Sequence, residues 1–298
     1  MPRARLFPGL PLMLVLLVSG CDRGGQAAVS DAPVCRVAQP PVMLPDRIPE
    51  SSGVAVSRTH ESVIWTHNDS GSEPTLYAVN SAGRLLGQVL VRGAEQVDWE
   101  DIAIADCDPA DCIYIADIGD NQARRSEVTI YRVPEPHPTD SETLAVEAFP
   151  MRYPSGPRDA EALFVLPSGE LFVVTKGENA PIELFRYPGP LRADETAELE
   201  RLATLSTRPA PLPDRVTGAS ASIGGEWTAI RTYTSILIFR TADLLGSETT
   251  PSFNVDLSSV GEVQGEAVGF AVDGSMVVTS EGVGEGLPGT IAVVWCPL

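Results

Sequence analysis

Five stretches of the chain repeat one order of positions: a polar residue, an acidic or hydroxyl residue two places on, a small residue or Asp, then alternating apolar side chains. They occupy residues 50–56, 98–104, 159–165, 215–221 and 264–270. Alternation with period two marks a strand with one face turned to a core. Each stretch is followed by turn residues and a second β-rich run, at 63–66, 112–116, 170–175, 226–231 and 275–279. A third run follows at 75–79, 128–133, 182–187, 235–240 and 290–295, and fourth strands are predicted at 85–91, 144–152, 197–205 and 252–257. No long stretch carries a helical period, so the predicted fold class is all-β.

The matching positions Gly53, Asp101, Ala162, Gly218 and Ala267 lie 48, 61, 56 and 49 residues apart. That spacing suits one four-stranded blade per repeat. The fifth repeat reaches the C-terminus after three strands, and the apolar segment 35–42 can supply its fourth. These features predict a five-bladed β-propeller over residues 35–298, closed by pairing of the N-terminal strand with the last blade. The 61-residue step leaves six blades as the alternative.

The first twenty residues read as an address. Arg3 and Arg5 precede an apolar run that ends in Ser19, Gly20 and Cys21, which is the charged, apolar and small-residue order of an export signal and is too short to span a bilayer. Val18, Ser19, Gly20 and Cys21 resemble the bacterial lipobox. That likeness implies cleavage before Cys21 and acylation of its thiol with chains such as palmitate, whereas a plain secretory signal would leave Cys21 incidental. Residues 21–34 are small and polar and read as a flexible tether. Asp22 after the acylated Cys resembles the inner-membrane retention signal of some Gram-negative bacteria, and the expected address is the cell envelope, on the periplasmic side of either membrane.

Cysteine usage agrees with export. Five Cys leave an odd one in an oxidising compartment unless Cys21 carries lipid and the other four pair. Cys107 and Cys112 flank a turn between two apolar runs and would staple a hairpin, which leaves Cys35 for Cys296. Ring closure by the two chain ends predicts that same pair. Four free thiols are the alternative.

Composition narrows the partners. The chain has 298 residues, 40 Asp plus Glu against 21 Lys plus Arg, and a formal net charge of −19. Nucleic acid and anionic lipid heads would be repelled over most of such a surface. The expected partners are the membrane through the N-terminal lipid, and a small molecule or envelope protein that is neutral, cationic or bridged by a metal.

Several segments also carry a family likeness. Glu50-Ser51-Ser52-Gly53-Val54-Ala55, Asp98-Trp99-Glu100-Asp101-Ile102-Ala103, Tyr114 through Asn121, Glu161-Ala162-Leu163-Phe164 and Glu266-Ala267-Val268-Gly269-Phe270 resemble the SdiA-regulated and phytase-like propellers of bacterial envelopes. The likeness spans roughly residues 45–296 and implies an exported propeller, sometimes with bound calcium. Thr217 stands where other repeats have Glu, which breaks a complete acidic ring.

In an up-and-down blade the start of the first strand and the end of the second share one face, so both sets of polar residues should converge on one mouth of the central channel. Ser52, Glu100, Glu161, Thr217 and Glu266 come from the first set, with Glu50, Asp98, Asp159, Arg215 and Gln264 at the rim. His67, Asn68, Asp69, Asp117, Asp120, Asn121, Lys176, Glu178, Arg231 and Glu281 come from the second.

A hard cation, Ca²⁺ first, would be held by Glu100, Glu161, Glu266 and Asp117, with Asn68 as a further oxygen donor. The alternative is that Lys176 and Arg231 neutralise some of these acids while the rest accept backbone N–H bonds between blades. Lys176 is the chain's only lysine, so it is a candidate for catalysis or for capping an anionic ligand, against a plain ion pair with a neighbouring Glu. Arg231 is the second catalytic candidate. Asn68, Trp99, Asp120, Lys176 and Arg231 are the candidate ligand contacts, Trp99 either as a stacking platform or packed between blades.

A serine triad is poorly supplied, with three His and no Gly-x-Ser-x-Gly elbow. Two functions therefore stand. One is a lipid-anchored propeller that binds a ligand or partner at its acidic mouth, with the tether leaving from the opposite face. The other is a calcium-dependent hydrolase of phosphate esters or lactones acting at that mouth.

Overall fold

The computed structural model describes residues 35–143, 146–282 and 287–298. The expected signal sequence, Cys21 and the expected tether lie outside the described residues. The remainder is a five-bladed β-propeller. Blade one comprises β2 (Ser51–Val56), β3 (Ile64–Asn68), β4 (Thr75–Val79) and β5 (Leu85–Leu90), following β1 (Arg36–Met43) in the chain. Blade two comprises β6 (Trp99–Asp106), β7 (Asp111–Asp117), β8 (Val128–Pro134) and β9 (Glu147–Arg152). Blade three comprises β10 (Ala160–Val165), β11 (Leu171–Thr175), β12 (Glu183–Arg186) and, after the two-residue β13 (Ala197–Glu198), β14 (Glu200–Thr204). Blade four comprises β15 (Val216–Ala221), β16 (Trp227–Thr232), β17 (Ser235–Arg240) and β18 (Phe253–Asp256). Blade five comprises β19 (Gln264–Phe270), β20 (Met276–Glu281), β21 (Thr290–Trp295) and, at its outer edge, β1.

The ring closes as the repeat predicts. β1 runs antiparallel to β21, with Arg36 opposite Trp295 and Met43 opposite Thr290. The Cys35–Cys296 disulfide locks that pairing, and Cys107–Cys112 staples the β6–β7 hairpin. Disulfides of this kind fit an oxidising, non-cytoplasmic compartment.

The first strands of the five blades line the axis, each against its two neighbours, with β19 returning to β2. Five apolar clusters fill the spaces between successive blades. The last joins blades five and one through Ile48, Val54, Val277 and Ile291. Trp65 is fully buried between blades one and two, and removing a side chain of that class from water is worth about 3 kcal/mol. Its indole N–H is satisfied by Glu135 at 2.8 Å.

Two local features depart from the simple repeat. The predicted strand 197–205 is divided: β13 pairs in parallel with β9 of blade two, and β14 pairs with β12 of blade three. Leu199 between them is 2% exposed in the cluster of blades two and three, and its N–H is held by Arg152 O. Burial of one leucine at the blade junction thus turns a single expected strand into a bridge. The 61-residue step, in turn, reflects a longer connection and not a sixth blade. The segment between β8 and β9 lies along the outer edge of blade one, where Leu90 N–H donates to Ser141 O and Thr143 N–H donates to Leu90 O. It thereby satisfies groups that an edge strand would leave open.

Candidate functional site

A β-bulge interrupts the first strand of every blade at the same level, between Ser51 and Val54, Trp99 and Asp101, Ala160 and Ala162, Val216 and Gly218, and Gly265 and Val268. A bulge re-aims a side chain and frees backbone groups from the ladder. The residues so released are Ser52, Glu100, Glu161, Thr217 and Glu266, the first polar set of the repeat. Paired positions such as Trp99 with Asp117 and Gln264 with Glu281 put the end of each second strand on the same face. The mouth is therefore a product of the repeat itself.

The bulge residues divide by chemistry. Ser52 donates to Glu100 O at 2.6 Å and Thr217 donates to Glu266 O at 2.7 Å, so the short hydroxyl side chains tie each bulge to the next blade. The longer side chains of the other three bulges reach into the channel instead. Glu100, Glu161 and Glu266 are 4, 3 and 4% exposed there.

Two groups of carboxylates result. Asp69, Asp98 and Glu100 each offer an oxygen within 4.8 Å of the others, and so do Glu100, Asp159 and Glu161, with Glu100 common to both. Asp98 and Asp159 stand two residues before Glu100 and Glu161, which in extended chain puts both side chains on one side. Gly119 lets the first group close up: a Cβ there would fall on Glu100 Oε1 and Asp98 Oδ2. Among the described residues, no amide, hydroxyl or cationic group donates a hydrogen bond to the Glu100 carboxylate, whose hydrogen-bonding neighbour is the Glu161 carboxyl. In the second group, Lys176 Nζ lies 2.5 Å from Glu161 Oε1 and 4.0 Å from Asp159 Oδ2.

Burial and mutual repulsion raise these acids above the ordinary carboxylate range. Asp98 is pushed up to about 6 by burial, then by Asp69 and Asp159. Glu161 is pushed up to about 7 by burial, although Lys176 opposes the rise. Glu100 is held well above its usual value by burial and by Glu161 and Asp69. On the far side of the mouth, Gln264 Nε2 donates to Glu266 Oε1 and Glu281 Oε2, both at 2.7 Å. Burial and the charge of Asp69 push Glu281 up to about 7. Burial alone would lower the Lys176 ammonium, but the charge of Glu161 outweighs it and the group is raised. The mouth thus concentrates negative charge with one ammonium inside it.

Several residues singled out in the sequence serve the frame. Arg231 is fully buried and donates to Ala267 O at 2.8 Å and Glu262 Oε2 at 2.5 Å. Asp117 is paired with Arg125 at 2.9 Å and accepts the Asp98 N–H at 3.0 Å, outside both carboxylate groups. Asn68 accepts the Glu50 N–H and donates to Arg47 O. Asp120 accepts from the Arg125 N–H, and its own N–H donates to Asp159 Oδ1 at 2.9 Å. Trp99 is fully buried, its indole N–H donates to Glu95 O, and its ring meets His67 edge-on at 5.6 Å. His67 Nε2 accepts the Gly53 N–H, and burial lowers its ring to about 4, so it stays neutral. Ser52 and His67 therefore have separate structural duties.

Sequence reasoning placed Asp98 and Asp159 at the rim, whereas both belong to the carboxylate groups. The two-residue spacing from Glu100 and Glu161 was the available signal. Arg125 was not singled out, since it reaches Asp117 from the β7–β8 loop. Tyr233 was also missed. Burial and the neighbouring Glu266 raise its phenol, which keeps it a hydroxyl donor in the acidic mouth.

No family model matches this chain, and no curated protein does. Solved structures match at low identity. The PQQ-bound aldose sugar dehydrogenase of Streptomyces coelicolor has a TM-score of 0.52 at 12% identity, over 89% of this chain and 100% of that one. The allergen Mala s 1 of Malassezia sympodialis has a TM-score of 0.53 at 11% identity, over 87% and 95%. A gluconolactonase of Xanthomonas campestris has a TM-score of 0.49 at 13% identity, over 88% and 91%. The first two likenesses are of fold alone.

Proposed function

We propose that this chain is an exported, lipid-anchored envelope propeller whose mouth binds a hard divalent cation, Ca²⁺ first, and through it an anionic ligand or envelope protein. The observation that carries the reading is the Asp69, Asp98 and Glu100 group: three carboxylates within 4.8 Å, with Glu100 4% exposed and given no amide, hydroxyl or cationic hydrogen-bond donor. Buried charge without a counter-charge is costly, and carboxylate oxygens at adaptable spacing are the donor set such ions take. A bound ion would supply positive charge to an otherwise repulsive pocket and leave coordination positions for an anionic partner.

The lipid anchor rests on the lipobox likeness of residues 18–21, and kinship with the SdiA-regulated and phytase-like propellers rests on the motifs quoted above. Cys35 lies beside Cys296 on the face opposite the mouth. That supports a mouth turned away from the membrane. Among the described residues no helix is long and apolar enough to cross one.

A second reading, calcium-dependent hydrolysis of phosphate esters or lactones, is favoured by the Lys176–Glu161 pair, which puts an ammonium 2.5 Å from a carboxylate that could take up a proton from water. Arg231 is committed to Glu262 and Ala267 O, which leaves Lys176 as the cation available to a developing anion. Metal analysis of protein purified without chelator, with melting temperature against added CaCl₂, tests the first reading. One bound ion and a rise in Tm that Glu100→Gln abolishes are expected. No metal and no shift would overturn it. Metal-dependent turnover of a phosphoester or lactone panel would establish the second.

A further inference from the structure

The second carboxylate group already contains a cation of the chain's own. Lys176 follows β11, and its backbone is held on both sides: its N–H donates to Asp159 O at 3.0 Å, and its carbonyl accepts the Val216 N–H at 3.0 Å. With the main chain fixed and the side chain 12% exposed, the ammonium is confined to this corner of the mouth. It contacts Glu161 at 2.5 Å but stays 4.0 Å from Asp159 Oδ2. The Asp159 side chain is only 10% exposed, and that oxygen has no hydrogen-bond partner. The ammonium therefore fills the position incompletely, since an ion placed among the three carboxylates could contact all of them while a single tethered nitrogen reaches one.

We propose that the mouth holds two cation positions sharing Glu100, and that Lys176 is a tethered counter-ion that occupies the second. The native chain then takes one divalent ion, at Asp69, Asp98 and Glu100, and a neutral residue at 176 opens a Glu100-bridged position for another. The five carboxylates of the two groups outnumber the charges of two such ions, so the pair is tolerable electrostatically. The inference rests on the reading of the first group as a cation site, and it explains why the chain's only lysine stands here.

The test is calorimetric titration of chelator-stripped protein with CaCl₂, with stoichiometry checked by metal analysis. One ion is expected for the native chain and two for Lys176→Gln, with the first ion bound at least tenfold more tightly once the neighbouring positive charge is gone. Adding Asp159→Asn to Lys176→Gln should return the count to one. Lys176→Met provides a second variant if the Gln protein does not fold. One ion in native and variant alike, or two in the native chain, would overturn the inference while the cation-site reading stands. No ion in the native chain but one in the variant would overturn that reading and leave the second position supported. No ion in either would overturn both.

Discussion

The Asp101 carboxylate accepts a hydrogen bond from the backbone N–H of Ala219 at 3.0 Å, across the channel from blade two to blade four. The same oxygen accepts the Leu163 N–H of blade three at 2.9 Å, and Oδ1 accepts the Ile102 N–H at 2.8 Å. One side chain thus joins three blades at the axis, using N–H groups beside the bulges. Burial pushes its carboxyl up, while the three N–H donors pull it down. Asp101→Ala would leave these donors unpaired in the interior, at about 1–3 kcal/mol each. A loss of roughly 3 kcal/mol or more in unfolding free energy is expected by denaturant titration. A change below about 1 kcal/mol would show that the tie is dispensable.

Gly119→Ala alters no charge, yet its Cβ would fall on the Glu100 and Asp98 carboxylates. Calcium affinity should drop about tenfold or more, the equivalent of about 1.4 kcal/mol, while the fold persists by circular dichroism. Unchanged affinity would show that the ion does not use these two oxygens.

The raised carboxyls make the ion-free protein sensitive to pH. Glu161 and Glu281 are pushed up to about 7 and Asp98 to about 6. Each has a folded value above its unfolded one, so its contribution is full below the unfolded value and is lost as pH rises through the folded value. Melting temperature without metal should therefore rise as pH falls from about 8 to about 6.5. Saturating CaCl₂ should flatten that slope. His67, lowered from 6.5 to about 4, acts in the opposite sense: its contribution is present above 6.5 and is lost as pH falls toward 4. A metal-free Tm that is flat or falls as the pH is lowered over that upper window would refute the assignment.

The Cys35–Cys296 bridge closes a loop with a sequence separation of 261. Chain-entropy arguments assign a loop of that length about 5–6 kcal/mol. Cys35→Ser with Cys296→Ser should lower stability by that order, measured as the denaturant midpoint, because β1 would then rely on its hydrogen bonds to β21. The same pair of changes should leave calcium stoichiometry untouched, since the bridge lies on the face opposite the mouth.

Much of this architecture can be read from local pattern. Alternation, turn residues and a repeat near fifty residues specify strands and blade number, because each blade must bury both faces against its neighbours. The missing strand of the fifth repeat and the cysteine arithmetic specify closure, and Asp101 stands out in the repeat where every other blade has Gly or Ala. Tertiary structure alone decided which mouth residues are free. Arg125 takes Asp117, Glu262 takes Arg231, and blade packing takes Trp99. It also joined Asp69 with Asp98 and Asp159 with Glu100, since such groupings depend on a few ångströms between residues tens of positions apart. Hydrophobic periodicity carries no information on those distances, and the bulges that set them are visible only once the strands are paired.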